Sequence, residues 1–388
     1  MSARDAVGAV GLGATVAFHI GRERLGADRH VQDPSVVPPS AEAMTPEWAS
    51  AVLGAHVTDV KVVGGSDGTS SRRALEVTYA DADSGLPNRL FSKAAASLFS
   101  RMLLGLTDIA EGESVFYNRV RDGLDLRSPR AHYAGYDAKT HRSFVLLEDL
   151  AVQGWSFPDP QDNVVTRDDA EDLVAELAHY HGRLWDSPRF KGDLASLRDA
   201  HSWQQNLNRK VGFERRTMRG FDRARDVLPA ALVDRRGDFY PAFMRSLELH
   251  ASGPQTLLHQ DLHLGNWLRD TDGRMGLYDW QCVARGNWAL DYSYALAGTL
   301  RTEDRRSWEE DLLHSYLARL KDEGVADVPG FDEAWLTYRR QPLHALAFAV
   351  FTLGGLRFEP ELQPRDYTLA AIARIGECVA DLKTLDVI

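Results

Sequence analysis

One stretch in the second half of the chain, residues 257–280, constrains the possible fold more than any other. It reads LLHQDLHLGNWLRDTDGRMGLYDW. His259 lies two positions before Asp261, Asn266 follows five positions later, and Asp279 comes thirteen positions beyond, after a short apolar run. If these side chains act together, the chain must turn back so that Asp279 lies beside the loop around Asp261. The stretch therefore predicts one polar site built from two carboxylates and an amide.

Side chains of these types at this spacing suit phosphoryl transfer. That reaction needs a carboxylate that orients and deprotonates a hydroxyl, and oxygen ligands that hold Mg²⁺ against nucleotide phosphates. Asp261 fits the first role, and the oxygens of Asn266 and Asp279 fit the second. The interval from Asp261 to Asn266 is that of a kinase catalytic loop. Turn and helix-capping chemistry is the competing interpretation of the same residues.

Further parts of a nucleotide site occur upstream, in order. Residues 57–63 (VTDVKVV) predict a strand that breaks at residues 64–70 (GGSDGTS), and residues 73–80 predict a second strand. A glycine-rich tip lets backbone N–H groups approach phosphate oxygens, which makes Ser66 and Gly68 candidate nucleotide contacts. An ordinary hairpin tip is the alternative. Lys93 lies near the end of the next predicted strand, where kinases hold the α- and β-phosphates with a lysine.

These motifs resemble those of the aminoglycoside phosphotransferase and choline kinase-like superfamily. The resemblance rests on residues 259–266 (HQDLHLGN) and 278–281 (YDWQ), where the family usually writes its loop H-G-D-L-H-x-x-N. Gln260 replaces the family's glycine, and we expect little effect because it lies between two functional side chains. Trp280 and Gln281 follow the aspartate in place of the Phe-Gly of protein kinases, so we do not expect a phosphorylation-switched activation loop.

The resemblance implies an α+β fold of the bilobal, protein kinase-like type. A small antiparallel β-sheet lobe with one main helix would precede a larger, mostly helical lobe. Residues 1–44 would form an N-terminal extension and linker, residues 45–150 the first lobe with a hinge at 148–150, and residues 151–388 the second lobe. The acceptor-binding helices and the catalytic loop would belong to the second lobe.

The resemblance also implies contacts to a nucleotide. Residues 113–117 (ESVFY) resemble the family's E-x-x-F-Y, whose glutamate pairs with the phosphate-binding lysine, so Glu113 would hold Lys93; Glu111 is a nearby competitor. Residues 147–150 (LEDL) resemble the linker whose backbone meets the adenine, so Glu148 and Leu150 are candidate contacts. Because main-chain groups recognise the base there, we expect ATP and leave GTP open.

Within the loop, the resemblance implies a role for each polar side chain. Asp261 would act as the catalytic base toward a hydroxyl of a small acceptor, while Asn266 and Asp279 would bind Mg²⁺. His259 would orient the loop through hydrogen bonds. His263 has two interpretations, stabilisation of the transferring charge or a purely structural part in the loop.

Composition is consistent with a globular enzyme that has two domains. The 388 residues suffice for two substantial cores, and the net charge of −11 disfavours nucleic acid as a partner. The two cysteines, Cys282 and Cys378, fit a reducing compartment, so we expect a cytoplasmic protein with both thiols buried. We do not expect a membrane partner, and the oligomeric state stays open.

The N-terminal region has several interpretations. Residues 6–20 (AVGAVGLGATVAFHI) are apolar but shorter than the roughly 20 residues of a spanning helix, which leaves a packed helix, a membrane-surface or partner contact, and a signal or anchor. Residues 32–43 predict an extended linker because three prolines deny it regular structure. Thr45 and Pro46 predict a capped helix start.

Beyond residue 150 the pattern is mainly helical. Thr166 and Asp169 resemble a capping box, and His181 is expected to be a hydrogen-bonded structural histidine. Asp291 either braces the catalytic loop, as the resemblance implies, or is a plain charge at a helix N-terminus. We expect helices at residues 305–320 and 335–353, and a loop at residues 359–364. The resemblance implies, by position alone, that Gln363, Arg365 and the nearby carboxylates line the acceptor site.

Seven basic residues cluster between the first long helix of this region and the catalytic loop: Arg209, Lys210, Arg215, Arg216, Arg219, Arg223 and Arg225. The cluster is either a solvated helix surface or a means of attracting an anionic acceptor. Aminoglycosides are polycations, which the cluster would repel if it bordered the acceptor site, so we do not expect a typical aminoglycoside as the acceptor. A nucleotide-binding pseudokinase and a metal-dependent nucleotide hydrolase remain alternatives to the small-molecule kinase.

Overall fold

The computed structural model describes residues 3–26, 30–68, 70–159, 164–356, 359 and 363–388, and the side chains of residues 11–26 within the first of these ranges. The chain divides into two compact units, Met1–Trp155 and Ser156–Ile388. The predicted domain limits, including the boundary after residue 150, stay predictions.

A five-stranded antiparallel sheet organises the first unit, with the strand order β1-β2-β3-β5-β4. The strands are β1 (Val57–Asp67), β2 (Ser71–Tyr79), β3 (Arg89–Ala94), β4 (Ala131–Asp137) and β5 (Arg142–Glu148). The helices of this unit are α1 (Ala3–Arg24), α2 (Pro46–Leu53), α3 (Leu98–Thr107) and α4 (Ile109–Val115). One sheet face packs on buried apolar side chains that include Trp48, Leu75 and Phe144.

The first hairpin differs from its prediction. The expected break after Val63 is wrong, because β1 continues to Asp67 and pairs with β2 through Gly65 and Ser66. A methyl group on Gly65 would lie 2.3 Å from the carbonyl oxygen of Arg72, so this glycine admits the neighbouring strand. The turn is confined to residues 68–70, of which Thr69 lies outside the described residues.

The predicted linker at residues 32–43 is also different in the structure. Val37 and Ala41 are buried in the core of the sheet, and a short 3₁₀ helix covers Ala41–Ala43. The segment therefore belongs to the packed unit, because its apolar side chains have a sheet face to cover. The predicted start of α2 is confirmed: the Thr45 side chain accepts a hydrogen bond from the N–H of Trp48, and Pro46 is the first helical residue.

The apolar N-terminal segment forms α1 and packs against α3. Near its end, Glu23 accepts hydrogen bonds from Arg101 of α3 at 2.7 Å and from Arg142 of β5 at 2.9 Å. Both arginine side chains are almost fully buried, so one carboxylate compensates two buried cations. The packed-helix interpretation of this segment agrees with these contacts. None of the described helices combines the length and the hydropathy needed to cross a bilayer.

The second unit is mostly helical. Its helices are α5 (Arg167–Arg183), α6 (Ala200–Val211), α7 (Phe213–Arg223), α8 (Ala230–Asp234), α9 (Arg236–His250), α10 (Ala289–Thr299), α11 (Thr302–Asp322), α12 (Phe331–Arg339), α13 (Pro342–Leu353) and α14 (Arg365–Asp381). Two small sheets pair β6 (Thr256–Leu258) with β9 (Ala284–Gly286), and β7 (Trp267–Arg269) with β8 (Met275–Leu277). The α+β fold class, with a small antiparallel sheet in one unit and a mainly helical second unit, is confirmed.

Two helix predictions for this unit can be compared directly with the structure. The capping box is present, since Thr166 accepts from the N–H of Asp169 and the Asp169 side chain accepts from the N–H of Thr166. The expected continuous helix over residues 335–353 is wrong, because α12 ends at Arg339 and α13 begins at Pro342. A proline suits the first turn of a helix but not its interior, which places the break there.

Part of the basic cluster has a structural task at the end of α13. Arg216 donates through Nε to the carbonyl of Phe351, Arg219 donates to the carbonyl of Gly354, and Arg223 donates to that of Gly355, at 2.8–3.0 Å. These carbonyls lie at or just beyond the helix end, where they lack intrahelical partners. The three arginines therefore cap α13 from the neighbouring helix α7.

The contact between α7 and α13 depends on a glycine in α7. A methyl group on Gly220 would lie 1.7 Å from the carbonyl oxygen of Val350, so the two backbones touch at this point. We expect Gly220→Ala to lower the free energy of unfolding by about 1–3 kcal/mol, because overpacking forces backbone shifts. Gly237→Ala is the matched control, since nothing lies within 4 Å of its added methyl group. Chemical denaturation of both variants tests this, and equal stabilities would contradict it.

Candidate active site

The predicted loop follows β6 and is held at its base by a buried aspartate. Asp291, in the first turn of α10, accepts hydrogen bonds from the N–H of His259 at 2.6 Å and from the N–H of Gln260 at 2.9 Å. The hydroxyl of Tyr180 donates to the same carboxylate at 2.7 Å. Asp291 is fully buried. Of its two interpretations, the contacts support the one in which it braces the loop.

The charge state of Asp291 follows from these contacts. Burial alone would raise the pKa of its carboxyl group, but hydrogen bonding and charge from His181 and His259, together with the loop amide, outweigh that effect and lower the pKa. The Nδ1 atom of His181 forms a hydrogen bond of 2.8 Å with the hydroxyl of Tyr316, and its Nε2 atom lies 3.5 Å from the Asp291 carboxylate. The prediction of a hydrogen-bonded structural histidine at this position agrees with these contacts.

His259 orients the loop through both ring nitrogens. Its Nε2 lies 2.9 Å from the carbonyl oxygen of Tyr278, and its Nδ1 accepts from the N–H of Asp261 at 3.3 Å. This pattern requires the proton on Nε2. Burial lowers the pKa of His259 by more than the nearby carboxylates raise it. The neutral ring is therefore favoured at neutral pH. The contacts suit an orienting role.

The carboxylate of Asp261 is held by two donors. Asn266 donates through Nδ2 to Asp261 Oδ2 at 3.1 Å and to its backbone carbonyl at 2.8 Å. The hydroxyl of Tyr294 lies 3.3 Å from Oδ1 and donates to it. Burial raises the pKa of Tyr294 well above its usual value, so the phenol keeps its proton. The side chain of Asp261 remains 22% exposed, which leaves it open to a ligand.

Asp279 is brought back toward Asn266 by the β7–β8 pair. The N–H of Tyr278 donates to the carbonyl of Asn266 at 3.1 Å, one step beyond the paired strand residues. Asp279 itself adopts a positive φ of 63° and precedes the 3₁₀ turn Trp280–Cys282. The chain reversal that the sequence spacing requires is therefore present.

A pair of side chains from α14 and the loop before it approaches His263. The hydroxyl of Tyr367 lies 3.5 Å from Nδ1 of His263, and the amide nitrogen of Gln363 lies 3.4 Å from its Nε2. The Nε2 of His263 is also 3.7 Å from Asp261. Gln363 is thus placed at the loop, whereas Arg365 is exposed to solvent. Residues 360–362 of the predicted loop lie outside the described residues.

Gln260 differs from its prediction. The expectation that it would matter little is wrong for the backbone, because Gln260 adopts a φ of 65°, a conformation that glycine adopts without strain. Its side chain is fully buried, and neither amide atom has a hydrogen-bond partner among the described residues. The family's preference for glycine at this position therefore has a conformational explanation.

In the first unit, Lys93 and Glu113 form the predicted ion pair. Lys93 Nζ donates to Glu113 Oε1 at 2.9 Å, and both side chains are buried. Glu111, the competitor, is exposed. A buried pair with this geometry fixes the lysine ammonium at the end of β3.

The other candidate nucleotide contacts lie in the first hairpin and at or just beyond the end of β5. Ser66 lies inside β1 opposite Arg72, and the N–H of Gly68 donates to Ser70 at 3.1 Å. Glu148 ends β5 and accepts from the N–H of Arg130, while the Leu150 carbonyl accepts from two amides of the following turn. Their roles in nucleotide binding stay predictions.

The residues present fit a magnesium ion bound mainly by its nucleotide. The side-chain nitrogen of Asn266 donates to Asp261, so the side-chain oxygen of Asn266 points away from that carboxylate. The described residues include no group of three or more His, Cys, Asp or Glu side chains that could hold a metal by themselves. Mg²⁺ commonly takes one or two protein oxygens and completes its shell with phosphates and water, so one amide and one carboxylate oxygen are enough in number. The assignment of Asn266 and Asp279 as these ligands stays a prediction.

Comparison with known proteins decides the family. The family model described as "APH: Phosphotransferase enzyme family" matches residues 115–329, which is more than half of the chain. The chain belongs to this family. The matched range contains Asp261, Asn266 and Asp279, whereas Lys93 and Glu113 precede it. The predicted membership of the aminoglycoside phosphotransferase and choline kinase-like superfamily is confirmed, and the chain is a phosphotransferase.

Solved structures with a similar arrangement include small-molecule kinases. The choline kinase LicA from Streptococcus pneumoniae is 14% identical with a TM-score of 0.47, covering 86% of this chain and 96% of that one. A GDP complex of aminoglycoside 2'-phosphotransferase-IIIa is 17% identical with a TM-score of 0.47, covering 84% and 93%. The Plasmodium vivax ethanolamine kinase is 10% identical with a TM-score of 0.46, covering 84% and 83%. No curated protein sequence matches this phosphotransferase significantly.

Two residues of the site were missed by the sequence reasoning. Tyr294 holds Asp261, and Tyr180 holds Asp291. Tyr294 could have been identified from the sequence, because it lies three residues after Asp291 and therefore on the same side of the helix. Tyr180 belongs to a helix distant in sequence, and no local pattern points from it to the loop.

Proposed function

We propose that this phosphotransferase is a small-molecule kinase that moves the γ-phosphate of a magnesium nucleotide to a hydroxyl group of a small acceptor. The observation that carries the proposal is the arrangement around Asp261, whose carboxylate is partly exposed and held by Asn266 and Tyr294. A fixed carboxylate of this kind can accept the hydroxyl proton as the bond to phosphorus forms.

The remaining residues take supporting roles. Asn266 and Asp279 would hold Mg²⁺, which when bound offsets the negative charge of the nucleotide phosphates. Lys93, kept in place by Glu113, binds the α- and β-phosphates. His259 keeps the loop in shape as a neutral ring. His263 lies beside the Asp261 carboxylate, and the acceptor would approach there.

A screen for transferred phosphate tests the proposal. The wild-type protein and Asp261→Asn are each incubated with Mg²⁺ and either ATP or GTP and a library of hydroxyl compounds, and products are detected by mass spectrometry. We expect a phosphate-sized mass gain on a subset of compounds with the wild type and none with the variant. Nucleotide turnover that needs no acceptor would indicate a hydrolase instead, and absence of any turnover would indicate a pseudokinase.

A lysine variant tests the nucleotide half of the proposal. We expect Lys93→Met to lower kcat/KM for the nucleotide by roughly 10- to 150-fold, because a charge-assisted contact to phosphate is lost. Lys61→Met, which removes an exposed lysine from β1, is the control. Thermal unfolding verifies that Lys93→Met still folds despite the changed surroundings of Glu113. An unchanged kcat/KM in a folded Lys93→Met protein would contradict the assignment.

A further inference from the structure

The imidazole ring of His263 presents its two nitrogen atoms to different surroundings. Nδ1 accepts a hydrogen bond from the N–H of Gly265 at 3.1 Å and thereby caps the 3₁₀ turn Leu264–Asn266. Because a backbone N–H can only donate, Nδ1 carries no proton, and the hydrogen of the ring is on Nε2. The loop itself therefore fixes Nε2 as a donor.

Two groups face this donor, and neither accepts its hydrogen at a normal distance. Oδ1 of Asp261 lies 3.7 Å from Nε2, beyond the roughly 2.7–3.2 Å of an N–H···O hydrogen bond. The amide nitrogen of Gln363 lies 3.4 Å from Nε2, and it is a donor as well. Turning that amide would offer its oxygen only at a similarly long distance. Within the described part of the chain, the Nε2–H therefore has no close acceptor.

The gap between Nε2 and Oδ1 has a width that one hydroxyl group can bridge. A single oxygen atom can lie about 2.8 Å from both atoms when these are 3.7 Å apart. It would accept from Nε2 of His263 and donate to Oδ1 of Asp261. The carboxylate has room for this donor, because Asn266 and Tyr294 use only two of its roughly four acceptor positions. The side chains of His263 and Asp261 are 18% and 22% exposed, so a ligand can reach the gap.

Loop structure accounts for only one of the two ring nitrogens. The contacts that hold the loop, from the N–H of Gly265 and the hydroxyl of Tyr367, are both made to Nδ1. A shorter capping side chain such as asparagine could accept the same amide hydrogen. The presence of a whole imidazole is explained if Nε2 has a separate task.

We propose that His263 binds the reacting hydroxyl group of the acceptor: its Nε2–H donates to the hydroxyl oxygen while the hydroxyl donates to Asp261. The inference rests on the proposed function and gives that site a second contact to the acceptor. One lone pair of the oxygen accepts from His263, and the other attacks the γ-phosphorus as the bond from phosphorus to the nucleotide breaks. The proton passes to Asp261. An alkylammonium group has no lone pair with which to accept, so the site selects an uncharged hydroxyl as the reacting group.

Two substitutions separate the tasks of the two nitrogens. Asparagine places an acceptor where Nδ1 lies but has no atom at Nε2, whereas glutamine reaches the position of Nε2 and leaves that of Nδ1 empty. We expect His263→Asn to keep the thermal stability of the wild type and to lower kcat/KM for the acceptor by roughly 2- to 12-fold, the effect of one lost neutral hydrogen bond. We expect His263→Gln to unfold at a lower temperature but to retain more of kcat/KM. His56→Asn, which alters an exposed histidine of the first unit, is the control.

Proton–nitrogen NMR spectra of the histidine rings test the same contact without knowledge of the acceptor. The signals of His263 are those missing from His263→Asn, and we expect them to show the proton on Nε2. Glycerol is then added in the presence of Mg²⁺ and a non-hydrolysable ATP analogue, with 1,2-dimethoxyethane, which has no hydroxyl group, as the control probe. We expect glycerol to shift the Nε2 signal of His263 and to leave that of His56 in place, and dimethoxyethane to shift neither.

The outcomes distinguish this inference from the function on which it rests. A proton on Nδ1 of His263, or an Nε2 signal that glycerol does not shift, overturns the inference. Equal kcat/KM for the acceptor in the wild type and His263→Asn overturns it as well and leaves the kinase intact. A loss in His263→Asn that is matched by a loss of thermal stability assigns the whole residue to loop structure, which also contradicts the inference. Absence of any phosphate transfer by the wild type ends the proposed function, and this inference with it.

Discussion

Replacing Asp261 by asparagine is expected to reduce kcat by about 100- to 10,000-fold, because the amide cannot accept the hydroxyl proton. The substitution keeps the size of the side chain, and its oxygen can still accept from Tyr294. Its NH2 group would then face the amide nitrogen of the buried Asn266, which loses the Oδ2 acceptor but keeps the backbone carbonyl of residue 261. We therefore expect the free energy of unfolding to fall by only about 1 kcal/mol. Initial rates of product formation at saturating nucleotide measure the effect.

A nearby acidic residue provides the control for this experiment. Asp272→Asn removes the same charge from an exposed turn between β7 and β8 and should leave kcat within about twofold. Retention of near wild-type activity by Asp261→Asn would show that another group accepts the proton. A comparable loss in both variants would point to a general charge effect and away from a specific base.

Removal of the Asp291 carboxylate is expected to have the largest effect on stability. In Asp291→Ala, the N–H groups of His259 and Gln260 and the hydroxyl of Tyr180 lose their acceptor in a fully buried site. We expect the free energy of unfolding to fall by roughly 3–5 kcal/mol, because buried donors are left unpaired. Activity should be lost as well, since the loop that carries Asp261 is no longer held. Chemical denaturation and product formation measure the two effects.

A plain helix charge makes the opposite prediction. If Asp291 only complemented the dipole of α10, its removal would cost about 0.3–1 kcal/mol. Glu303→Gln, which alters an exposed acidic residue in the first turn of α11, provides that reference value. Equal losses of stability in Asp291→Ala and Glu303→Gln would remove Asp291 from the framework of the loop.

The parts of the site that the sequence could predict are those set by local spacing. Asp261 and Asn266 lie five residues apart, and their contact follows from one short loop. The Lys93–Glu113 pair follows from the order of strand and helix, although only the aromatic residues after Glu113 distinguish it from Glu111. The capping residues Thr45 and Thr166 could be predicted equally well, because a cap depends on only three or four neighbouring residues.

The parts that the sequence could not predict depend on contacts between distant segments. The positive φ of Gln260 arises because Asp291 and the loop define the backbone there, against the preference of the residue itself. The extension of β1 through Gly65 reflects pairing with β2, which local composition opposed.

The carboxylate of Glu23 gives the first two dozen residues an unexpected importance. Two buried arginines share this one carboxylate. Substitutions near the amino end that displace it would leave Arg142 of the sheet and Arg101 of α3 without their anionic partner. Damage there would show as low yield, aggregation or rapid proteolysis in cells, with the chemistry of the surviving molecules intact. Substitutions in this stretch would then lower the amount of folded protein before they changed the kcat of the molecules that fold.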